Sequence, residues 1–311
     1  MKQTRRTALK LLTAFALSSG LTLSMDSSAI EQIQGGMKIS CSSLAFSDMD
    51  WKQALREIRA RGFLYADLAM FEGWTHVDPS KLENPHQHGD EIRRVCEEIG
   101  ISPIALHANF NPMRENGFPG LTTFDEKARV GIVQHFTRTA DCAQSAQIPL
   151  VNIQPGRFID DRSKQACLLN AIRLLRRLQS IADERKLILT FENHAGSIAE
   201  QPEDALQLLE GVKGLRLDYD PSHVVSKQIP LEKTMPLLKY IAHIGIRNAT
   251  PDNYNQPIKN KTMDYDIGAF LNAFRTAKVN AYISVEYYTP EMRPHIDALK
   301  EILIQQGVPL K

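Results

Sequence analysis

The chain contains 311 residues, of which 43% are hydrophobic, and 37 Lys and Arg balance 36 Asp and Glu to give a formal net charge of +1. This length can bury one large core or two modest ones. No long basic stripe is present, and because nucleic-acid-binding proteins concentrate positive charge on one face, the composition argues against a nucleic-acid partner. The four cysteines are widely spaced, which argues against a disulfide framework or a zinc–cysteine site.

Residues 1–29 have the layout of an export signal. A basic segment over 1–10 precedes a modestly apolar stretch over 11–23, and small residues follow at 27–29. The paired arginines, Arg5 and Arg6, resemble the twin-arginine export motif. Because the apolar stretch is shorter than the roughly 20 residues that span a membrane, an anchor is the weaker interpretation. We therefore predict a twin-arginine-type signal peptide over 1–29, use of the export machinery, and a periplasmic or otherwise exported protein.

After a linker over 30–37, apolar runs of strand length alternate with segments of helical periodicity. The predicted strands cover residues 38–45, 64–70, 101–107, 149–154, 187–192, 215–219, 241–247 and 282–286. The predicted helices lie between Asp48 and Gly62 and over 91–99, 125–145, 163–185, 202–209, 231–239, 266–278 and 291–305. Long loops over 71–87 and 109–122 follow the second and third strands, and loops of that length are usually functional or disordered.

This alternation predicts an α/β fold with a single TIM barrel, a parallel eight-stranded (β/α)8 barrel over 38–311. A doubly wound open sheet is the alternative. That fold needs a glycine-rich turn after an early strand, and the first predicted strand runs instead into Ser42-Ser-Leu-Ala-Phe-Ser47.

Carboxylates stand at the ends of three later strands. Glu192 ends the fifth predicted strand, Asp220 follows the sixth, and Glu286 ends the eighth. Because polar residues at the carboxyl ends of barrel strands converge on one mouth, we expect these three side chains to share a pocket. Crowded carboxylates repel each other unless they are protonated or bound to a cation. The sequence therefore predicts a divalent metal site.

Other polar residues fall at the same strand ends. They are His107, Gln154, His194, His223 and Arg247. Gln154 suits hydrogen bonding to a sugar hydroxyl, and Arg247 suits a clamp for a hydroxylated or anionic substrate. His223 could bind the metal, contact the substrate or donate a hydrogen bond to a metal ligand.

Structural roles are alternatives for several of these residues. His107 could be a core histidine with satisfied hydrogen bonds. Glu286 could form an ion pair with Arg216 or Arg247. Asp218 lies on the same face as Asp220 but deeper in the barrel, where it could pair with an arginine or lysine.

Three motifs, in this order, resemble the xylose isomerase-like barrel superfamily of sugar isomerases and epimerases. They are Phe191-Glu-Asn-His-Ala-Gly196, Asp220-Pro-Ser-His223 and Tyr282-Ile-Ser-Val-Glu286. The resemblance covers the chain from residue 38 to its end. It implies an eight-fold barrel with one divalent ion, often manganese, magnesium, cobalt or zinc. It also implies two glutamates that bind metal and move protons beside a carbonyl, here Glu192 and Glu286, and an aspartate ligand, here Asp220.

One position departs from the family's pattern. The family's seventh strand usually reads His-x-His-x-(Lys/Arg)-(Asp/Asn), and its second histidine is the fourth metal ligand. Here the run is His243-Ile-Gly-Ile-Arg-Asn248, so Gly245 stands at the ligand position and His243 lies one inward step deeper. Water, the substrate or His223 could fill the vacant ligand position, or metal affinity could be reduced.

The residues and the resemblance together predict an exported, metal-dependent isomerase or epimerase that transfers a proton next to a carbonyl of a sugar or keto-sugar. A keto-sugar or keto-glycoside lyase or dehydratase on the same site is an alternative, because the same enediolate can expel a leaving group. A non-catalytic sugar-binding protein with a degenerate metal site is the rival from another class. A metal-dependent nuclease fits poorly, since the extra ligands of a multi-metal site are missing. The oligomeric state is left open.

Overall fold

The computed structural model describes residues 36–110 and 120–311, and eight of its strands close into a parallel barrel. The barrel strands are β1 (Lys38–Ser42), β2 (Tyr65–Phe71), β3 (Ser102–Asn109), β4 (Leu150–Ile153), β5 (Ile188–Glu192), β6 (Arg216–Asp218), β7 (Ile241–Ile246) and β10 (Tyr282–Val285). Their hydrogen-bonded order is β1-β10-β7-β6-β5-β4-β3-β2, and β1 pairs with β2 to close the ring. The predicted (β/α)8 barrel is confirmed.

Helices connect the barrel strands. They are α1 (Trp51–Ala60), α2 (Pro85–Ile99), α3 (Glu126–Ser145), α4 (Lys164–Glu184), α5 (Pro202–Gly211), α6 (Pro221–Ser226), α7 (Leu231–Thr234), α8 (Ile267–Thr276) and α9 (Pro294–Gln305). Side-chain caps fix several starts: Asp50 accepts from the backbone N–H of Lys52 and Gln53 at α1, as a good N-cap residue should. No helix in the described ranges is both long and apolar enough to cross a membrane.

Strand alternation separates the core from the site. Leu189 and Phe191 on β5 belong to the main cluster of buried apolar side chains, which also contains Leu175 on α4. Ile188, Thr190 and Glu192 alternate with them and therefore share the opposite, inward face. A small apolar cluster lies on that face at the amino end of the barrel. It contains Ala105, Leu150, Ile188 and Ala242. Polar side chains can therefore gather above it, towards the carboxyl end.

Several predicted boundaries differ from the structure for local reasons. Helix α2 begins at Pro85 rather than at residue 91, because proline is well tolerated in the first turn of a helix. The helix predicted over 231–239 divides into α7 and a 3-10 segment, Met235–Tyr240, where Pro236 supplies no backbone N–H for an α-helix. Strand β6 ends at Asp218, and Asp220 instead caps α6, which the sequence did not predict.

The loop after β7 contains an unpredicted antiparallel hairpin. Its strands are β8 (Asn248–Thr250) and β9 (Asn253–Gln256). The predicted signal peptide and most of the linker lie outside the described residues, and so do residues 111–119 of the predicted long loop.

Candidate active site

Three buried carboxylates meet at the carboxyl end of the barrel. Glu192, Asp220 and Glu286 are 2%, 0% and 2% exposed. Strand β5 ends at Glu192, Glu286 directly follows β10, and Asp220 is fixed by accepting a 2.7 Å hydrogen bond from the backbone N–H of Ser222. All three contact the guanidinium of Arg247, which directly follows β7. The structure thus places these four residues in one pocket.

The imidazole of His107 lies between the two glutamates. Its Nε2 is 3.8 Å from Glu192 Oε2, and its Nδ1 is 3.8 Å from Glu286 Oε1. Burial lowers the pKa of His107, so this ring is neutral at neutral pH. The two carboxyl groups therefore face each other across an uncharged ring.

His223 joins the same pocket from α6. Its Nε2 lies 3.0 Å from Glu192 Oε1 and 2.8 Å from Arg247 Nη2. Burial and the neighbouring His194 lower the pKa of His223 to about 4, so the ring is neutral. One neutral nitrogen can donate to Glu192 or accept from Arg247, but it cannot do both at once.

The surroundings of Glu192 and Glu286 shift the pKa values of their carboxyl groups in opposite directions. Burial alone raises the pKa of Glu192, but His194 and the hydrogen bond with His223 outweigh it and hold that pKa well below its usual range. Burial raises the pKa of Glu286 well above its usual range despite Arg247, and the negative charge of Glu192 adds to the rise. Glu192 therefore ionises more readily than Glu286, and Glu286 holds its proton more strongly, an arrangement that suits a base paired with an acid.

His243 lies below the mouth and is fully engaged there. Its Nδ1 is 2.8 Å from Asp218 Oδ1, and its Nε2 is 3.0 Å from Asp67 Oδ2. Asn152 donates a 2.6 Å hydrogen bond to Asp218 and accepts a 2.9 Å hydrogen bond from Thr190. Neither ring nitrogen of His243 is left for a ligand, and Asp218 pairs with a histidine rather than with an arginine or lysine.

His194 and Gln154 occupy the edge of the pocket. The His194 ring lies 4.1 Å from the His223 ring, and its Nδ1 donates to the carbonyl of Ala195. Gln154 accepts a 3.2 Å hydrogen bond from Asn109 Nδ2. Both residues are half-buried, and His194 offers a ring nitrogen within 4.8 Å of ligand atoms of Glu192 and His223.

Tyr254 is a site residue that sequence reasoning missed. It lies on β9, and its ring centroid is 4.3 Å from that of His223 and 6.1 Å from that of Tyr288. The Arg247 guanidinium carbon lies 5.3 Å from the centre of the Tyr254 ring. The sequence signal for this hairpin is Pro-Asp-Asn at 251–253. This signal predicts a turn, but it does not show that the hairpin lies against His223 and Arg247.

Potential metal ligands are present in two groups. Glu192 with His194 and His223, and His107 with Asp218 and Glu286, each offer ligand atoms within 4.8 Å of one another. The set that the resemblance implies is different, because it joins Glu192, Asp220 and Glu286 to a histidine at position 245. Gly245 has no side chain, and Arg247 fills the space among the three carboxylates. The residues present do not fit that four-ligand site.

Comparison with known proteins identifies the family. The family model described as "Xylose isomerase-like TIM barrel" matches residues 48–304, so the chain belongs to this family. A comparison with curated protein sequences found no match.

Solved structures share the fold. A D-tagatose 3-epimerase-like protein is 19% identical over 87% of this chain and 97% of its own, with a TM-score of 0.69. The 3-keto-D-glucoside 4-epimerase YcjR from E. coli is 17% identical over 86% of this chain and 99% of its own, with a TM-score of 0.67. The IOLI protein with a binding zinc atom is 17% identical over 87% of this chain and 98% of its own, with a TM-score of 0.64.

Proposed function

We propose that this member of the xylose isomerase-like TIM barrel family is an isomerase or epimerase that transfers a proton next to a carbonyl of a sugar or keto-sugar. The observation that carries the proposal is the pair Glu192 and Glu286, which flank the neutral His107 ring at 3.8 Å on either side. Two opposed carboxyl groups, one ionised and one protonated, are what removal and return of a proton require.

The proposed steps conserve protons and electrons. The Glu192 carboxylate takes the proton from the carbon beside the substrate carbonyl, and the C–H electron pair forms a C=C bond while the carbonyl pair moves onto oxygen. Glu286 then returns a proton to the enediolate. Return to the same carbon from the opposite face gives an epimer. Return to the former carbonyl carbon gives an isomer when the hydroxyl proton of the neighbouring carbon passes to the former carbonyl oxygen and the new C=O bond forms. Exchange with water resets the two carboxyl groups.

A small carbohydrate is the substrate class that the pocket supports best. Gln154 and His194 at its edge offer hydrogen bonds, and Tyr254 and Tyr288 offer aromatic faces, the mixture of polar and apolar groups typical of ligand pockets. Two of the structures above are named a D-tagatose 3-epimerase-like protein and a 3-keto-D-glucoside 4-epimerase, and these names agree with this choice. Export to the periplasm stays a prediction from the leader.

A panel of ketoses and 3-keto-glycosides, followed by NMR, tests the proposal. We expect a new epimer or isomer from at least one sugar, and a loss of rate of 10²-fold or more, roughly the contribution of one acid or base, in Glu192→Gln and in Glu286→Gln. An unsaturated product would identify the lyase alternative instead. Binding of a sugar without turnover would overturn the proposal in favour of a sugar-binding protein.

A further inference from the structure

The centre of the carboxylate cluster is filled by a side chain that is itself a cation. Arg247 is 2% exposed. Its Nη2 lies 2.7 Å from Asp220 Oδ2 and 3.7 Å from Glu192 Oε1. Its Nη1 lies 3.2 Å from Glu286 Oε1 and donates a 2.9 Å hydrogen bond to the Glu286 carbonyl. One guanidinium therefore contacts every carboxylate that the family resemblance assigns to metal binding.

Gly245 makes room for this arrangement. A Cβ at this position would lie 2.8 Å from Glu286 Oε2 and 3.6 Å from Asp220 Oδ2. Real Cβ atoms are essentially never found as close as the first of these distances, so any side chain here would displace the end of Glu286. The glycine that removes the family's fourth ligand thus also lets the carboxylates close around Arg247.

Two histidines that could replace the missing ligand are already engaged. Both ring nitrogens of His243 are bonded to Asp218 and Asp67. His223 Nε2 already lies 2.8 Å from Arg247 Nη2 and 3.0 Å from Glu192 Oε1. Carboxylates bind a metal such as zinc at about 2.0–2.2 Å, so an ion among these oxygens would overlap the guanidinium nitrogens. Arg247 and a metal ion exclude each other here.

We infer that the Arg247 guanidinium takes the place of the family's divalent ion. The positive charge of the site then belongs to a side chain of the protein and not to a bound metal. Arginine suits the position, because it stays charged when buried and its planar fork matches carboxylate geometry. A second part of the inference rests on the proposed function: the guanidinium charge stabilises the enediolate oxygen as it forms.

Metal binding, measured without any substrate, tests the first part. The full chain is purified without chelator, its metal content is determined by mass spectrometry, and its melting temperature is recorded with and without added Mn²⁺ or Zn²⁺. We expect no stoichiometric metal and no rise in melting temperature for the wild type. The double variant Gly245→His, Arg247→Ala restores the ligand and removes the competing cation. It should bind about one ion per chain and melt higher with metal, and chelator should reverse both effects.

Arg216→Ala is the matched control. Arg216 donates to the carbonyl of Ile241 at the amino end of the barrel, away from the carboxylates, and its variant should behave as the wild type does. About one ion per wild-type chain, or equal metal stabilisation of the wild type and the double variant, would overturn the inference. A folded double variant that binds no ion would also overturn it. If that variant fails to fold, the wild-type measurement decides. A missing sugar activity would count against the proposed function but would leave these results unchanged.

Discussion

His243 Nε2 on β7 lies 3.0 Å from Asp67 Oδ2 on β2, and this contact crosses the interior of the barrel. The other ring nitrogen lies 2.8 Å from Asp218 Oδ1 on β6. Burial alone would favour the neutral ring, but the two carboxylates outweigh it and raise the pKa of His243 well above its usual range. One charged imidazole therefore ties three strands together below the mouth of the pocket.

This imidazolium predicts a fall in stability at alkaline pH. Because the pKa is raised on folding, the stabilisation is complete below about pH 6.5, the usual histidine value, and is lost as pH rises through the folded value. Burial lowers the pKa of the neighbouring His107, so that ring stays neutral over this range. We expect the free energy of unfolding to fall by up to about 1.4 kcal/mol per pH unit above pH 6.5, measured by urea titration. The fall should be shallower in His243→Asn, and equal slopes would contradict the assignment.

Asn152 orients the Asp218 carboxylate, which lies below the carboxylate cluster. It donates to Asp218 Oδ2 and accepts from Thr190, and all three side chains are fully buried. Asn152→Ala would leave two buried polar groups without this partner, so we expect a loss of about 1–3 kcal/mol in the free energy of unfolding. The exposed Asn280→Ala is the control, and its effect should stay within about 0.5 kcal/mol. Similar losses of stability in Asn152→Ala and Asn280→Ala would show that the buried hydrogen bonds of Asn152 do not stabilise the protein.

Two glycines in neighbouring helices should respond in opposite ways to alanine. A Cβ at Gly89 on α2 would lie 2.3 Å from the Cys142 carbonyl oxygen on α3, whereas a Cβ at Gly131 on α3 meets nothing within 4 Å. Gly89→Ala should therefore destabilise the protein by about 1–3 kcal/mol through overpacking. Gly131→Ala should stabilise it by up to about 1 kcal/mol, the helix preference of alanine over glycine. Thermal melts compare the two, and a neutral Gly89→Ala would refute the close α2–α3 contact.

Tyr254 should contribute to sugar binding. Its ring packs on His223 and Arg247 and lies beside Tyr288, so it forms one wall of the pocket. In a Glu192→Gln background, which prevents turnover, Tyr254→Ala should weaken binding of the sugar about ten-fold, or about 1.4 kcal/mol, by isothermal titration calorimetry. Tyr254→Phe keeps the ring and should bind within about two-fold of its parent. Unchanged sugar affinity in Tyr254→Ala would show that the Tyr254 ring does not contribute to sugar binding.

The barrel could be predicted because its signal is local and repeated: apolar runs of strand length alternate with helices. The meeting of Glu192, Asp220 and Glu286 then followed from topology, since all three stand at strand ends. Tyr254 could not be found in this way, because its hairpin, Asn248–Thr250 with Asn253–Gln256, is short and polar and lacks an alternating apolar pattern.

The place of Arg247 depends on packing rather than on pattern. The sequence shows that Gly245 lacks a ligand, but it does not show which neighbour enters the space. That outcome depends on the reach of the Arg247 side chain and on three carboxylates that lie at or just after the ends of other strands. In the same way, Asp218 could be recognised as a deep acid, but its partner His243 is brought to it by the register between β6 and β7.

Hydrogen exchange at the substrate tests the central claim most directly. A keto-sugar is incubated in D₂O with the enzyme in the presence of EDTA, and NMR follows the proton beside the carbonyl. We predict that the wild type replaces this proton by deuterium at the same rate with and without chelator, and that Glu192→Gln does not. Exchange that stops with EDTA and returns with Mn²⁺ or Zn²⁺ would contradict the role of Arg247 as the cation of the site. Absence of exchange in every keto-sugar that binds would contradict catalysis by the two glutamates.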